Sequence, residues 1–196
     1  MTLSSRRQIT DAQSLRALAH PARVALIEAL AIHGSLTATE ASELIGESPS
    51  NCSFHLRQLA RFGMIEPAPS VDGRNRPWQV VDGGIGVDVN SLDDAEFSSA
   101  ATAVNELWIA RQAAAEIDWT RRSAHETKPW REASFSNFTV RWRTVEELAR
   151  LQDRVDELLD EFRERREPAE RPAGARPIRI NFSAFPAAGY PDSEGF

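Results

Sequence analysis

Cysteine is almost missing from this chain of 196 residues: there is one, Cys52. A disulfide framework within the chain is therefore impossible, and so is a metal site built from several thiolates. No apolar run approaches the ~20 residues needed to span a bilayer, although the hydrophobic share is 41%. The opening MTLSSRRQIT has paired arginines but no apolar stretch behind them. No secretory signal is expected, and the reading is a soluble cytoplasmic protein with no membrane partner. Nothing places a serine or cysteine nucleophile in a strained turn, a glycine-rich loop around a phosphate, or histidines at metal-ligand spacing. No enzyme, metal or cofactor is expected.

What is present centres on residues 37–63, TATEASELIGESPSNCSFHLRQLARFG. Ala38, Ala41 and Leu44 or Ile45 recur at helical spacing, and Gly46 falls where a left-handed C-terminal cap is wanted. Ser48 can cap a new helix, and Pro49 at its first position gives up an amide that had no partner anyway. In this second helix, 49–62, Cys52, Leu56 and Leu59 form the buried stripe. Ser50, Asn51, Ser53, Phe54, Arg57 and Arg61 lie on the other faces. A helix of this kind, packed across a tight turn on its predecessor, has the shape and chemistry that enter a DNA major groove. Gly63 ends it. Met64 to Pro69 then reads as a strand, Asp72-Gly73 as a turn, and Trp78 to Val81 as the returning strand, with Leu36 and Thr37 beside them as a short third strand. The segment 70–77 would be a wing carrying Arg74 and Arg76 to phosphate or the minor groove.

These residues carry a family resemblance. Leu18, Ala19, Pro21 and Arg23 in the opening helices, then Ser53, His55, Leu56, Leu59 and Gly63 in and after the second helix, resemble the motifs of ArsR-like winged helix-turn-helix transcriptional regulators. The likeness covers roughly the first 80 residues, the size of a small domain. It implies a DNA-binding winged domain, with His55 touching phosphate or bonding back into the domain. The metal-sensing members use paired cysteines, and with Cys52 alone and in an apolar position, metal sensing is rejected.

Charge is unevenly spread. Residues 1–80 hold eight arginines against seven acids, net +1, and the remainder holds fifteen basic against twenty-two acidic residues, net −7. A nearly neutral DNA-binding unit must rely on local placement of Arg57, Arg61, Arg74 and Arg76 and on dimerisation.

Residues 1–10 read as a mobile arm, 11–82 as the winged domain and the glycine-rich 83–92 as a linker. Residues 93–190 read as a dimerisation and effector region. There, Asp93 to Glu126 has one long helical pattern that Lys128-Pro129 ends. Ala133 to Arg143 alternates as a strand should, with Phe138, Val140 and Trp142 on one face. Thr144 with Glu147 makes a capping box for a helix to about Arg166, and Arg176 to Phe185 alternates again. The expected fold class is thus mainly α with small β: an N-terminal winged helix-turn-helix domain followed by a C-terminal α-β-α-β region.

The functional expectation is a sequence-specific regulator that binds double-stranded DNA as a homodimer. Two seams are offered: the long helix, preferred, whose Trp108 and Trp119 would face the partner copy, and the heptad run from Leu148 to Phe162. One alternative is a winged domain that docks a partner protein. Another is a sensor whose Trp108, Trp119, Trp130, Phe138 and Trp142 form a pocket for a small apolar effector, against which stands the plainer use of large rings to fill a core or a dimer seam.

Overall fold

The structure, a computed structural model, describes residues 7–69, 76–82, 84–162 and 171–187. Four helices make up most of the N-terminal part: α1 (Ala12–Leu18), α2 (Pro21–His33), α3 (Ala38–Ile45) and α4 (Pro49–Arg61). Local chemistry sets their ends. Asp11 accepts the Ser14 N–H at 2.8 Å to cap α1, and His20 Nδ1 accepts the Ala22 N–H at 3.2 Å ahead of α2. At α3, Thr37 and Glu40 form a reciprocal capping box, and Gly46 closes the helix in the left-handed region at φ +74°. Ser48 then accepts the Asn51 N–H at 3.2 Å and opens α4.

The core lies between these helices. Leu15, Val24, Leu26, Leu30, Ala41, Cys52, Leu56, Leu59 and Met64 are all buried to 1% exposure or less. Burying a large aliphatic side chain contributes roughly 1.5–3 kcal/mol, so this cluster supplies the main force that holds the four helices in one arrangement. Behind α4, strands β2 (Ile65–Pro67) and β3 (Trp78–Val80) pair antiparallel with Ile65 opposite Val80. Leu36 bridges to Trp78 through two backbone hydrogen bonds of 3.0 and 2.8 Å, a single isolated bridge rather than the expected short strand of Leu36 and Thr37, because Thr37 already caps α3.

Two segments differ from expectation. Arg7–Ile9, within the expected arm, is a strand (β1), and Ile85–Val87, within the expected linker, is its parallel partner (β4). Ile9 is 3% exposed and belongs to the core. A ladder between residues almost 80 positions apart leaves no local signal, and glycines flanking Ile85 read as loop. The rest of the arm, residues 1–6, lies outside the described residues.

The start of the region read as C-terminal also packs into the N-terminal core. Helix α5 (Ala95–Arg122) is capped by Asp94, and its Phe97, Ala100, Ala101 and Val104 complete the N-terminal core against α1. At 1.5 Å per residue it runs about 42 Å, and only its first turns are buried. It stops at Arg122, and Lys128-Pro129, rather than only ending a helix, opens the short α6 (Lys128–Ala133). Helix α7 (Val145–Glu161) starts from the Thr144–Glu147 capping box as expected.

The two C-terminal alternating segments are not strands. Residues 134–144 and 175–187 join no ladder among the described residues, and their side chains are exposed. Alternation alone does not make a strand; a paired neighbour does, and among the described residues these segments have none. Mainly α with a small sheet describes the molecule, with the sheet confined to its N-terminal half.

Candidate nucleic-acid interface

Helix α4 is held from three sides. Its apolar stripe of Cys52, Leu56 and Leu59 is completely buried, α3 packs beside it across the Gly46–Ser48 turn, and its C-terminal end is fixed by Arg7. The Arg7 guanidinium donates to the Phe62 carbonyl at 3.0 Å. It also passes over Gly63, where a Cβ would lie 2.6 Å from it, and Gly63 itself sits at φ +63°. The positive φ favours glycine there, and a larger residue would push the Arg7 guanidinium aside. Arg7 is the residue that sequence reasoning missed: its role depends on the β1–β4 ladder, and a pair of arginines near a chain end carries no sign of it.

On the other side, Ser50, Phe54, Arg57 and Arg61 are exposed at spacings of four, three and four, which makes one continuous face, with Asn51 exposed beside it. Arg57 and Arg61 have no carboxylate partner among the described residues, so both charges are available to an anion. Phe54 is 49% exposed in the middle of the face. Asn51 is held by Glu47, whose carboxylate accepts its side-chain amide at 3.1 Å. Ser53 is half-buried at the margin.

His55 turns the other way. It is 9% exposed, its ring centroid is 4.5 Å from that of His20, and its Nδ1 accepts from Arg23 Nε at 3.4 Å. Of its two expected roles, phosphate contact and a bond back into the domain, it takes the second, because one helical turn from Cys52 and Leu59 puts it on the inner face. Burial, with His20 and Arg23 close by, holds its pKa below the ordinary histidine value. The side chain that accepts from Arg23 at Nδ1 is therefore neutral. Arg23 also donates to the Ala17 carbonyl, and so it ties the ends of α1 and α2 to the underside of α4.

The hairpin places Arg76 at the stem of β3, exposed, while Arg74 and the turn at 70–75 lie outside the described residues. Two helices crossing at a tight turn, with a buried stripe on the second and a polar, cationic face outward, form a helix-turn-helix. Residues 18–68 match the family described as a helix-turn-helix domain. The match runs from the end of α1 through β2 and includes every residue named on α4. No curated protein matches the chain.

The five rings expected to form an effector pocket are not brought together. Phe138 is 92% and Trp142 80% exposed, so neither lines a cavity within the chain. Trp108 is half-buried against the N-terminal core, Trp119 lies under Arg122 at 4.9 Å, and Trp130 lies under Arg176 at 4.9 Å. Trp108 and Trp119 lie three turns apart on α5, Trp130 on α6 and the other two rings in the segment after it, and among the described residues no buried one joins them. An open depression of about 350 Å³ lies elsewhere, near Asp11, Asp94 and Phe97. Among the described residues no helix is long and apolar enough to cross a membrane.

Proposed function

We propose that this chain is a sequence-specific, DNA-binding transcriptional regulator of the ArsR-like winged kind. Helix α4 enters the major groove of double-stranded DNA, and the β2–β3 hairpin acts as the wing. The observation that carries the reading is the exposed face of Ser50, Asn51, Phe54, Arg57 and Arg61, mounted on a helix whose other side is buried to 0% exposure at Cys52, Leu56 and Leu59. A rigid mount is what base reading needs, since discrimination depends on side chains held in register with base edges. Arginine supplies bidentate contacts to guanine or phosphate, asparagine suits adenine, and an exposed phenyl ring suits a thymine methyl group. Arg76 and Arg74 would contact the backbone or the minor groove beside it.

The near-zero charge of residues 1–80 supports two copies acting together on half-sites about one helical turn apart, because one copy neutralises few phosphates. The test is a binding titration of the purified chain against DNA from upstream of its own gene over a series of salt concentrations. Affinity for one sequence over competitor DNA, falling linearly on a log–log salt plot, is expected. Equal affinity for all sequences would refute sequence-specific reading, and no binding at low salt would refute the DNA partner altogether.

A further inference from the structure

The C-terminal half has helices but no interior. From residue 105 onward no described residue is buried, although this stretch holds α6, α7 and most of α5. Ordering a residue costs about 1–2 kcal/mol of backbone entropy, which burial ordinarily offsets, and among the described residues this stretch has little such burial. The surface area gives the scale of the shortfall. The chain exposes 14602 Å², whereas a folded monomer of 21.8 kDa exposes about 9,300 Å². Setting the residues outside the described ranges at the full surface of an unfolded chain still leaves about 1,600 Å² of excess. That is roughly twice what one partner contributes to a standard interface.

The exposed apolar groups are also ordered rather than scattered. Phe138, Val140 and Trp142 alternate along one segment at 92, 65 and 80% exposure, and Ile178, Ile180 and Phe182 along another at 61, 59 and 52%. The second segment is anchored to the N-terminal core: its Arg179 pairs with the buried Glu28 of α2, which also accepts from Arg111 of α5 at 2.6 Å. With Arg179 facing inward, the neighbouring Ile178 and Ile180 are left facing out. Charge divides in the same way. Arg141 and Arg143 interleave the first segment, while exposed Glu146 and Asp153 lie on α7, where Glu157 is already paired with Arg154 at 2.9 Å.

We propose that a second copy of this chain covers these two segments, and that residues 134–144 and 175–187 form the seam of a two-fold dimer in which each chain completes the other's C-terminal core. The seam deepens the homodimer of the proposed function and moves it away from Trp108, which the chain's own N-terminal core already half covers. Leu151 and Leu158 of α7, with Phe162 just past its end, are exposed as well.

Sedimentation equilibrium of the full chain, without DNA, tests the proposal. Two chains per particle at micromolar concentration are expected. Two variants, Phe138→Ser with Trp142→Ser and Ile178→Ser with Ile180→Ser, remove exposed rings and aliphatic groups that no core of the chain contains. Each should raise the dimer dissociation constant by more than about thirtyfold, the scale of truncating buried anchors, while far-ultraviolet dichroism keeps its helical signal. In wild type, Trp fluorescence should shift to the blue as concentration rises through the dissociation constant. A wild-type particle of one chain at all concentrations overturns the proposal, as does an open-ended series of larger particles. Dimers as tight as wild type in both variants overturn this seam. Because no DNA is present, these results stand or fall separately from operator binding.

Discussion

Asn51 and Arg57 share the exposed side of α4 but reach it with different freedom. Arg57 has no carboxylate partner among the described residues, whereas the Asn51 amide is held by Glu47 at 3.1 Å and must exchange that bond for a base edge. Replacing both with alanine should cost roughly 1–3 kcal/mol for each bidentate pairing with a base, and the penalty should be larger on the preferred sequence than on competitor DNA. A folded double mutant with unchanged discrimination would remove these two residues from base reading. Beneath them, His55 makes a second prediction. Its folded pKa is depressed, so the unfolded chain binds the extra proton more readily, and stability declines as pH falls below the unfolded value of about 6.5 until the folded pKa is passed. Urea midpoints measured from about pH 7.5 down to about pH 5 should fall, and His55→Gln should flatten that part of the profile. An equally steep profile in the variant would show that another group carries the effect.

Among the elements, α3 depends most visibly on its cap. It has eight residues, too few to be stable alone, and the Thr37–Glu40 box satisfies amides at its first turn. The Thr37 backbone N–H, and after it the Thr37 hydroxyl, hold the Glu40 carboxyl below its ordinary pKa. Its contribution is therefore present above the unfolded carboxylate range and is lost as pH falls through the lower folded value. Thr37→Ala should cost about 1 kcal/mol of stability by denaturant unfolding, because one first-turn amide loses its acceptor. DNA affinity should fall with it only if α3 frays enough to let α4 tilt. A loss of affinity with no loss of stability would point instead to Thr37 touching DNA.

At the scale of the molecule, one carboxylate joins three distant parts. Glu28, 9% exposed at its side chain, receives Arg111 from α5 and Arg179 from the C-terminal segment, whose side chains are 40% and 42% exposed. Breaking a hydrogen-bonded charge costs most when the group left behind is buried, and here the buried member is the acid. Glu28→Gln leaves two arginines that can turn to solvent, so a cost of about 1–3 kcal/mol is expected, on the scale of hydrogen bonds to charged groups. Limited proteolysis should also cut residues 171–187 faster in the variant. Cutting at the wild-type rate would show that the segment is held by other interactions.

Sequence alone determined what depends on neighbours along the chain. The Gly46 stop, the Ser48 cap, the buried stripe of α4 and the Thr144–Glu147 box all follow from hydrogen bonds and periodicities that span at most a few turns, and each is found where those residues require it. Tertiary structure decided what joins distant residues. The β1–β4 ladder, Arg7 over Gly63, His55 against His20 and Arg23, and Phe97 in the N-terminal core each need a partner 32 or more positions away, and no local pattern encodes it. The alternating segments of the C-terminal half carry the same lesson in reverse. Their period of two specifies which side chains share a face, but only a strand laid alongside can turn that period into a sheet, and among the described residues none is laid there.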